Sequence, residues 1–76
     1  MSHRDEAAAI LQRELPMCEV TVERASYDRD VCRAVARLRG GEAQASEDFD
    51  PMEVLAGGGP EIAQSIYRKL RQLELR

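Results

Sequence analysis

The chain has 76 residues, of which 33% are charged, and a formal net charge of −3 at pH 7. Its length predicts a single small domain over residues 1–76, and its acidic balance argues against nonspecific nucleic-acid binding, which depends on Lys and Arg neutralising phosphates. The N-terminal residues lack the pattern of a secretory signal and no apolar run is long enough to cross a bilayer, so we expect a cytoplasmic protein without membrane contact.

The first predicted element is a helix over residues 2–15. Ser2 and Asp5 have the spacing of a capping box, in which an N-cap side chain accepts a hydrogen bond from a free backbone N–H group of the first turn. Apolar residues recur along the segment at helical intervals, at Ala7, Ala8, Ile10, Leu11 and Leu15. Pro16 ends the helix, because the residue before a proline is pushed out of the helical conformation.

Three strands are predicted next, because the period of the apolar residues changes to two. The first strand starts at Cys18, the second covers residues 31–39 and the third covers residues 42–47. One face of this sheet is apolar, with Cys18, Val20, Val22, Cys32, Ala34, Ala36, Leu38, Ala43 and Ala45. We interpret the two cysteines as small buried core residues.

The turns between the strands predict their register. Gly40-Gly41 indicates a two-residue type I′ turn, which places Leu38 opposite Ala43. A three-residue turn over residues 28–30 places Val20 opposite Leu38. Apolar residues then meet apolar residues in both hairpins, as a sheet with one buried face requires.

Residues 49–54 carry the clearest local signal in the chain. Asp50 is a favourable N-cap, Pro51 fits the first helical position, and Glu53 has the spacing of a capping box. Phe49 and Val54 are spaced to pack together as a hydrophobic staple across the helix start. These five residues are therefore predicted to have a structural role.

Two helical segments follow this signal. A short helix is predicted over residues 51–56, and Gly57-Gly58-Gly59 interrupts it because glycine loses much backbone entropy in a helix. A final amphipathic helix runs from Pro60 to about Leu75. The predicted fold class is therefore α+β, in the order α-β-β-β-α(α), with a three-stranded antiparallel meander covered on one face by helices.

The opposite face of the sheet, here named the outer face, is the predicted partner-binding surface. Its candidate residues are Glu19, Glu23, Arg33, Val35, Arg37 and Arg39. The predicted register sets Glu19 opposite Arg39, a favourable cross-strand pair. The alternative interpretation is a solvated sheet face on which glutamates neutralise a row of arginines.

Nothing in the sequence indicates catalysis, a cofactor or a metal site. His3 is the only histidine and lies near the N-terminus. No serine or cysteine therefore has an evident general base that could activate it as a nucleophile. Glu47, Asp48, Asp50 and Glu53 form an acidic cluster that suits a hard cation, but Asp50 and Glu53 are already explained as caps. Residues 57–59 suit an anion-binding loop or a hinge, and the lack of a P-loop ending favours the hinge.

The order of one helix, three strands and a final helix resembles the double-stranded-RNA-binding domain. The resemblance implies a shared topology. That family carries lysines at the start of its last helix, where this chain has Gly59, Pro60 and Glu61. This departure argues against RNA binding in that family's manner.

A second resemblance covers residues 31–76. A strand, a glycine-containing hairpin, the Asp48-Phe49-Asp50 box, a short helix, a glycine-rich break and an amphipathic helix follow in this order. This pattern is similar to one of the small type I-F anti-CRISPR proteins of phages infecting Pseudomonas, although that family begins with a strand instead of a helix. The resemblance implies a compact protein that binds the CRISPR surveillance complex stoichiometrically and has no catalytic residues.

We therefore expect a non-enzymatic binding protein, encoded by a phage or mobile element, whose partner is a host protein or nucleoprotein complex. The outer face and residues 57–59 are the expected contacts. One alternative is a nucleic-acid-binding module that uses Arg33, Arg37 and Arg39. Another is a structural homodimer, which the thin, alanine-rich core favours because association buries additional surface.

Overall fold

The computed structural model of the protein describes residues 2–74, and it confirms the predicted α+β fold. Three antiparallel strands form a meander that follows one helix and precedes another. The elements are α1 (His3–Glu14), β1 (Cys18–Arg24), β2 (Cys32–Leu38), β3 (Gln44–Phe49), α2 (Pro51–Glu53) and α3 (Gly59–Glu74). The predicted end of the last helix at Leu75 lies outside the described residues.

The first helix begins where the sequence predicts. The Ser2 hydroxyl accepts a hydrogen bond from the backbone N–H of Asp5 at 3.2 Å, which satisfies one of the free donors of the first turn. The helix ends at Glu14, one residue before its predicted end, although the N–H of Leu15 still bonds to the carbonyl of Leu11 at 3.0 Å. Leu11 is fully buried, so the inner side of α1 belongs to the core.

The register predicted between the first two strands is wrong by two residues. Val20 lies opposite Ala36, and Cys18 lies opposite Leu38. The N–H of Ala25 still bonds to the carbonyl of Val31 at 2.9 Å, so the connecting loop is longer than the three residues predicted. A shift of two keeps every side chain on its predicted face, because strand side chains alternate with a period of two.

The hairpin between β2 and β3 has the predicted pairing but another turn type. Ala36 lies opposite Ala45, and the N–H of Leu38 bonds to the carbonyl of Ala43 at 3.2 Å. Only Gly40 of the two glycines has a positive φ, of 75°, and the N–H of Gly41 bonds back to the carbonyl of Leu38 at 3.1 Å. The predicted type I′ turn is therefore wrong, since that turn needs positive φ at both central residues.

The third strand ends two residues later than the sequence predicts. It covers Gln44–Phe49, so Asp48 points to the outer face while Phe49 is buried in the core with 5% of its surface exposed. Glu47 points inward at the sheet edge, where its carboxylate accepts a hydrogen bond from Ser65 and lies 3.1 Å from the Lys69 ammonium. An acidic residue on the inner side is thereby compensated by α3.

The start of α2 is built from the predicted structural residues. The Asp50 carboxylate accepts from the N–H of Met52 at 2.9 Å, and Pro51 occupies the first turn. Phe49 and Val54, the two residues of the predicted staple, are buried in one core cluster. The capping box is incomplete, because within residues 2–74 the Glu53 carboxylate makes no hydrogen bond to Asp50, although the Glu53 N–H bonds to the Asp50 carbonyl at 2.9 Å.

The glycine-rich break is narrower than predicted. A kinked turn over Val54–Gly58 connects α2 to α3, and Gly57, with φ of 108°, is its only residue of positive φ. Gly59 already has helical backbone angles and is buried, so α3 begins one residue before Pro60. Residues 57–59 thus form a corner between two helices.

The helices form one layer over the apolar face of the sheet. α1 packs against β1, α3 packs against β3, and the two helices contact each other. The buried core consists mainly of small residues from the sheet and larger ones from the helices, with Ala7, Leu11, Leu15, Cys18, Cys32, Ala34, Ala36, Ala45, Phe49, Val54, Ala63, Ile66 and Leu70. The small residues allow the helices to lie close to the strands.

Helix side chains bond to the backbone of both edge strands. The Gln12 amide nitrogen donates to the carbonyl of Cys18 at 2.8 Å, and its oxygen accepts from the N–H of Val20 at 3.0 Å. On the other edge, the Lys69 ammonium donates to the carbonyl of Ser46 at 3.0 Å. These bonds occupy backbone groups that an edge strand leaves unpaired.

Candidate partner-binding face

The six candidate residues lie together on the outer face of the sheet. Strand alternation and the observed register arrange most of this face in three rows that cross the strands. The rows are Glu23–Arg33–Asp48, Thr21–Val35–Ser46 and Glu19–Arg37–Gln44, and Arg39 follows directly after β2. The structure therefore brings all six into one surface, although the partners differ from the predicted register.

The row nearest the β1–β2 loop is tied together by a carboxylate. Arg33 donates to both oxygens of Asp48, from its Nε at 2.8 Å and from an Nη at 3.5 Å. The Tyr27 hydroxyl donates to the same carboxylate at 2.5 Å. These bonds hold the pKa of Asp48 below its usual value, and the bond from Arg33 has a larger effect than the bond from Tyr27.

The same three groups influence one another in the other direction. The hydrogen bond to Asp48 raises the pKa of Tyr27, because the bond is made by the protonated phenol. It also raises the pKa of Arg33, to which the nearby negative charge of Glu23 contributes a smaller effect. Arg33 is therefore a compensated charge and less available to an incoming phosphate than the sequence suggests.

The opposite end of the face is also hydrogen-bonded. Arg37 lies opposite Glu19 and donates to the carbonyl of Gly41 at 3.3 Å. Arg39 donates to the carbonyl of Pro16 at 3.3 Å and lies 3.9 Å from the Glu19 carboxylate. Each arginine of the predicted basic row thus has an acceptor, and Glu19, Glu23 and Asp48 together balance the charge of the three arginines.

The middle row carries no charge. Val35 is half-buried between the exposed side chains of Thr21 and Ser46. Small uncharged groups in the centre with charged groups of both signs on either side resemble the arrangement of protein interfaces, which have a less polar core and a polar rim. This arrangement suits an opposing protein surface.

Tyr27 and Asp48 belong to this face but sequence reasoning did not select them. Asp48 would have been found if the third strand had been extended to Phe49, because alternation then places it beside Arg33. Tyr27 lies in the loop after β1, 64% exposed, and no periodicity in the sequence places it over the sheet.

The glycine corner is not part of the outer face. An added Cβ at Gly59 would lie 2.8 Å from Cγ2 of Ile10 on α1, so this corner packs within the helix layer. The structure therefore separates the two regions that the sequence suggested as joint contacts.

The acidic cluster predicted near β3 is dispersed. Asp48 points outward to Arg33, Glu47 points inward to Lys69, and the Asp50 carboxylate caps α2. Within the part of the chain that the structure describes, no three His, Cys, Asp or Glu side chains are grouped so that they could hold a metal ion.

The two cysteines lie in the core, as predicted. Cys18 and Cys32 are both buried with free thiols. Burial raises the pKa of the Cys18 thiol, and the positive charge of Arg39 opposes this effect. A thiol of this kind is a poor nucleophile at neutral pH, because the thiolate is the reactive form.

Comparison of the chain with protein-family models, with curated proteins and with solved structures finds no match. Among residues 2–74, no helix has the length and apolar character needed to cross a membrane.

Proposed function

We propose that the protein is a small non-enzymatic binding protein that associates stoichiometrically with a partner through its outer face. One observation supports this proposal above the others: the helices cover one face of the sheet and leave the other uncovered. On the uncovered outer face, Val35 lies in the uncharged middle row, and the rows on either side carry both signs of charge. Such charge patterns set partner choice and orientation more than affinity.

The partner that we propose is a host protein or nucleoprotein complex, and the chain would act as an inhibitor encoded by a phage or mobile element. This part of the proposal depends on the resemblance of residues 31–76 to a type I-F anti-CRISPR protein. Inhibition by surface occupancy needs no catalytic groups.

The proposal is tested by titrating purified type I-F surveillance complex with the protein and following binding by calorimetry and native mass spectrometry. The wild type should bind at a fixed ratio. Val35→Asp should weaken binding at least about tenfold, because it places a charge in the centre of a desolvated interface. Arg68→Glu, on the exposed side of α3, is the control and should bind like the wild type.

Absence of wild-type binding would refute the surveillance complex as the partner. An equal loss in Val35→Asp and Arg68→Glu would refute the outer face as the contact.

The nucleic-acid alternative has less support than the sequence gives it, because Arg33, Arg37 and Arg39 all have acceptors within the fold. A titration of wild type and Arg37→Glu against RNA and DNA at several salt concentrations separates the two. Steeply salt-dependent binding that Arg37→Glu abolishes would favour the nucleic acid. The homodimer alternative is checked by sedimentation at several protein concentrations.

A further inference from the structure

A cleft of about 460 Å³ lies on the helix side of the sheet, away from the outer face. It is bounded by the start of α1, the end of β1, the β1–β2 loop and the start of α2. Arg4, Arg24 and Arg29 line it, and each comes from a different one of these segments. The fold thus brings Arg4, from the first helix, into one cleft with Arg24 and Arg29.

These three arginines differ from those of the outer face in having no acceptor. Within residues 2–74, the side chains of Arg4, Arg24 and Arg29 make no hydrogen bond and no ion pair, and all three residues are exposed. A guanidinium group carries five N–H donors in a planar fork that matches the oxygens of phosphate. The cleft therefore holds donors that the fold itself does not use.

Arg24 occupies an unusual position in its strand. Cys18, Val20 and Val22 point to the helix side, and by alternation Arg24 does too, opposite the buried Cys32. A charged residue on the core side of a strand interrupts the apolar pattern of that side. Such departures from pattern concentrate at functional sites, where another requirement overrides stability.

The charge of the cleft is positive although the chain as a whole is negative. Asp30 and Asp50 also line it, but Asp50 already accepts the N–H of Met52 as the cap of α2. Three guanidinium groups and two carboxylates leave an excess of one positive charge, whereas the chain has a net charge of −3.

We propose that this cleft binds a small ligand that carries a phosphate monoester, through Arg4, Arg24 and Arg29. A volume of about 460 Å³ lies in the usual range of small-molecule sites, roughly 300–1,000 Å³. A long nucleic acid would need a basic surface that extends along its backbone. The glutamates of the outer face and the acidic net charge of the chain do not supply one, so the size and charge of the site favour a small ligand. This proposal does not depend on the outer-face function.

The test is a titration of the ¹⁵N-labelled full chain, observed by NMR through backbone amides and arginine Nε groups. The probes are inorganic phosphate and adenosine monophosphate, with sodium chloride at matched ionic strength as the reference. Saturable shifts at Arg4, Arg24 and Arg29 are expected with the phosphate probes and not with chloride. Tighter binding of adenosine monophosphate than of inorganic phosphate is expected for a monoester ligand, and equal or weaker binding of adenosine monophosphate would overturn the monoester as the ligand.

Variants separate a built site from general charge effects. Arg24→Gln should weaken binding at least tenfold, and Arg24→Lys should lie between it and the wild type, because lysine keeps the charge but loses the planar fork. Arg13→Gln is the matched control, since it removes the same charge from an exposed position on α1 that does not line the cleft. Circular dichroism of each variant verifies that it is folded.

Shifts that sodium chloride reproduces would overturn the proposal. So would an equal loss of affinity in Arg13→Gln and Arg24→Gln. The proposal would also be overturned if a single-stranded DNA 20-mer bound more tightly than either phosphate probe and both variants weakened its binding equally. That result would indicate an extended binding surface instead of the cleft.

Discussion

A single carboxylate, that of Asp48, connects three segments of the molecule. It accepts hydrogen bonds from Arg33 on β2 and from Tyr27 in the loop after β1, while its own backbone belongs to β3. All three side chains are at least partly exposed, so solvent screens their charges and the arrangement orders the loop more than it stabilises the fold.

The pKa directions of this group predict how its contribution depends on pH. The pKa of Asp48 is lowered in the folded state, so its contribution is present above the unfolded value of about 3.9 and is lost as the pH falls through the folded value. The pKa of Tyr27 is raised, so its contribution is present below about 10 and is lost as the pH rises through the folded value.

We therefore expect Asp48→Ala to lower the urea midpoint by a constant amount between about pH 5 and pH 9, and by less below pH 4. Urea unfolding of the wild type and the variant across this range measures the difference. Glu42→Ala, at the other end of the β2–β3 hairpin, is the control and should have a urea midpoint close to that of the wild type across this range. A difference that stays constant down to pH 2 would contradict the role given to the ionised carboxylate.

At the scale of elements, the sequence predicts which way side chains point better than which residues face each other. Alternation with a period of two assigned Val20 and Ala36 to the inner face, and this is confirmed. Their pairing depends on the length of the β1–β2 connection, and residues 25–31 carry no strong turn signal to define it. A shift of two residues leaves the apolar pattern intact, so the pattern cannot detect the error.

The close approach of α1 and α3 at Gly59 also could not be predicted from the sequence. Three consecutive glycines predict a break, and the backbone of Gly57 accounts for it. Gly59 is required for another reason, because Cγ2 of Ile10 occupies the space of a side chain. Only the packing of two helices that are distant in the sequence distinguishes these two roles.

Gly59→Ala should therefore destabilise the fold by about 1–3 kcal/mol, the typical cost of overpacking, despite the better helix propensity of alanine. Gly41→Ala is the control and should change stability by less than about 0.5 kcal/mol, because its Cβ would make an ordinary contact of 3.5 Å with Leu38. Both are measured by urea unfolding.

The penalty of Gly59→Ala should largely disappear in an Ile10→Ala background, since that change removes the clashing methyl group. An undiminished penalty in the double variant would show that Ile10 is not the cause.

At the scale of the whole molecule, local signals were sufficient for the fold class and insufficient for the cleft. The α+β order follows from helix caps, from the change of apolar period at Cys18 and from Pro51. Arg4 and Arg24 are separated by a helix and a strand, so no spacing in the sequence brings them together. The outer face lies between these cases, because its members were predicted but its internal pairing was not.

The small core predicts a strong dependence on its few large residues. Ile66 is fully buried, and Ile66→Ala should cost about 2–5 kcal/mol. A domain of this length has a total stability of roughly 4–11 kcal/mol, at 0.05–0.15 kcal/mol per residue. Ile66→Ala should therefore lose a large share of the total stability, which a lower urea midpoint followed by far-UV circular dichroism would show.

Ile66→Val is the conservative comparison and should cost only about 0.5–1.5 kcal/mol. A loss below 1 kcal/mol for Ile66→Ala would mean that the core tolerates a cavity at its centre, contrary to the packing described.

The bonds from Gln12 and Lys69 to the outer strands also affect how copies of the molecule can meet. Sheets of separate molecules can join when the edge strand of one pairs with the edge strand of the next. This pairing requires unpaired backbone N–H and C=O groups on both edge strands. Here the amide of Gln12 already bonds to Cys18 and Val20 at the start of one outer strand, and the ammonium of Lys69 bonds to Ser46 in the other. Edge-to-edge association of two sheets would first have to break these bonds. A partner is therefore expected to bind the outer face instead of the edges of the sheet.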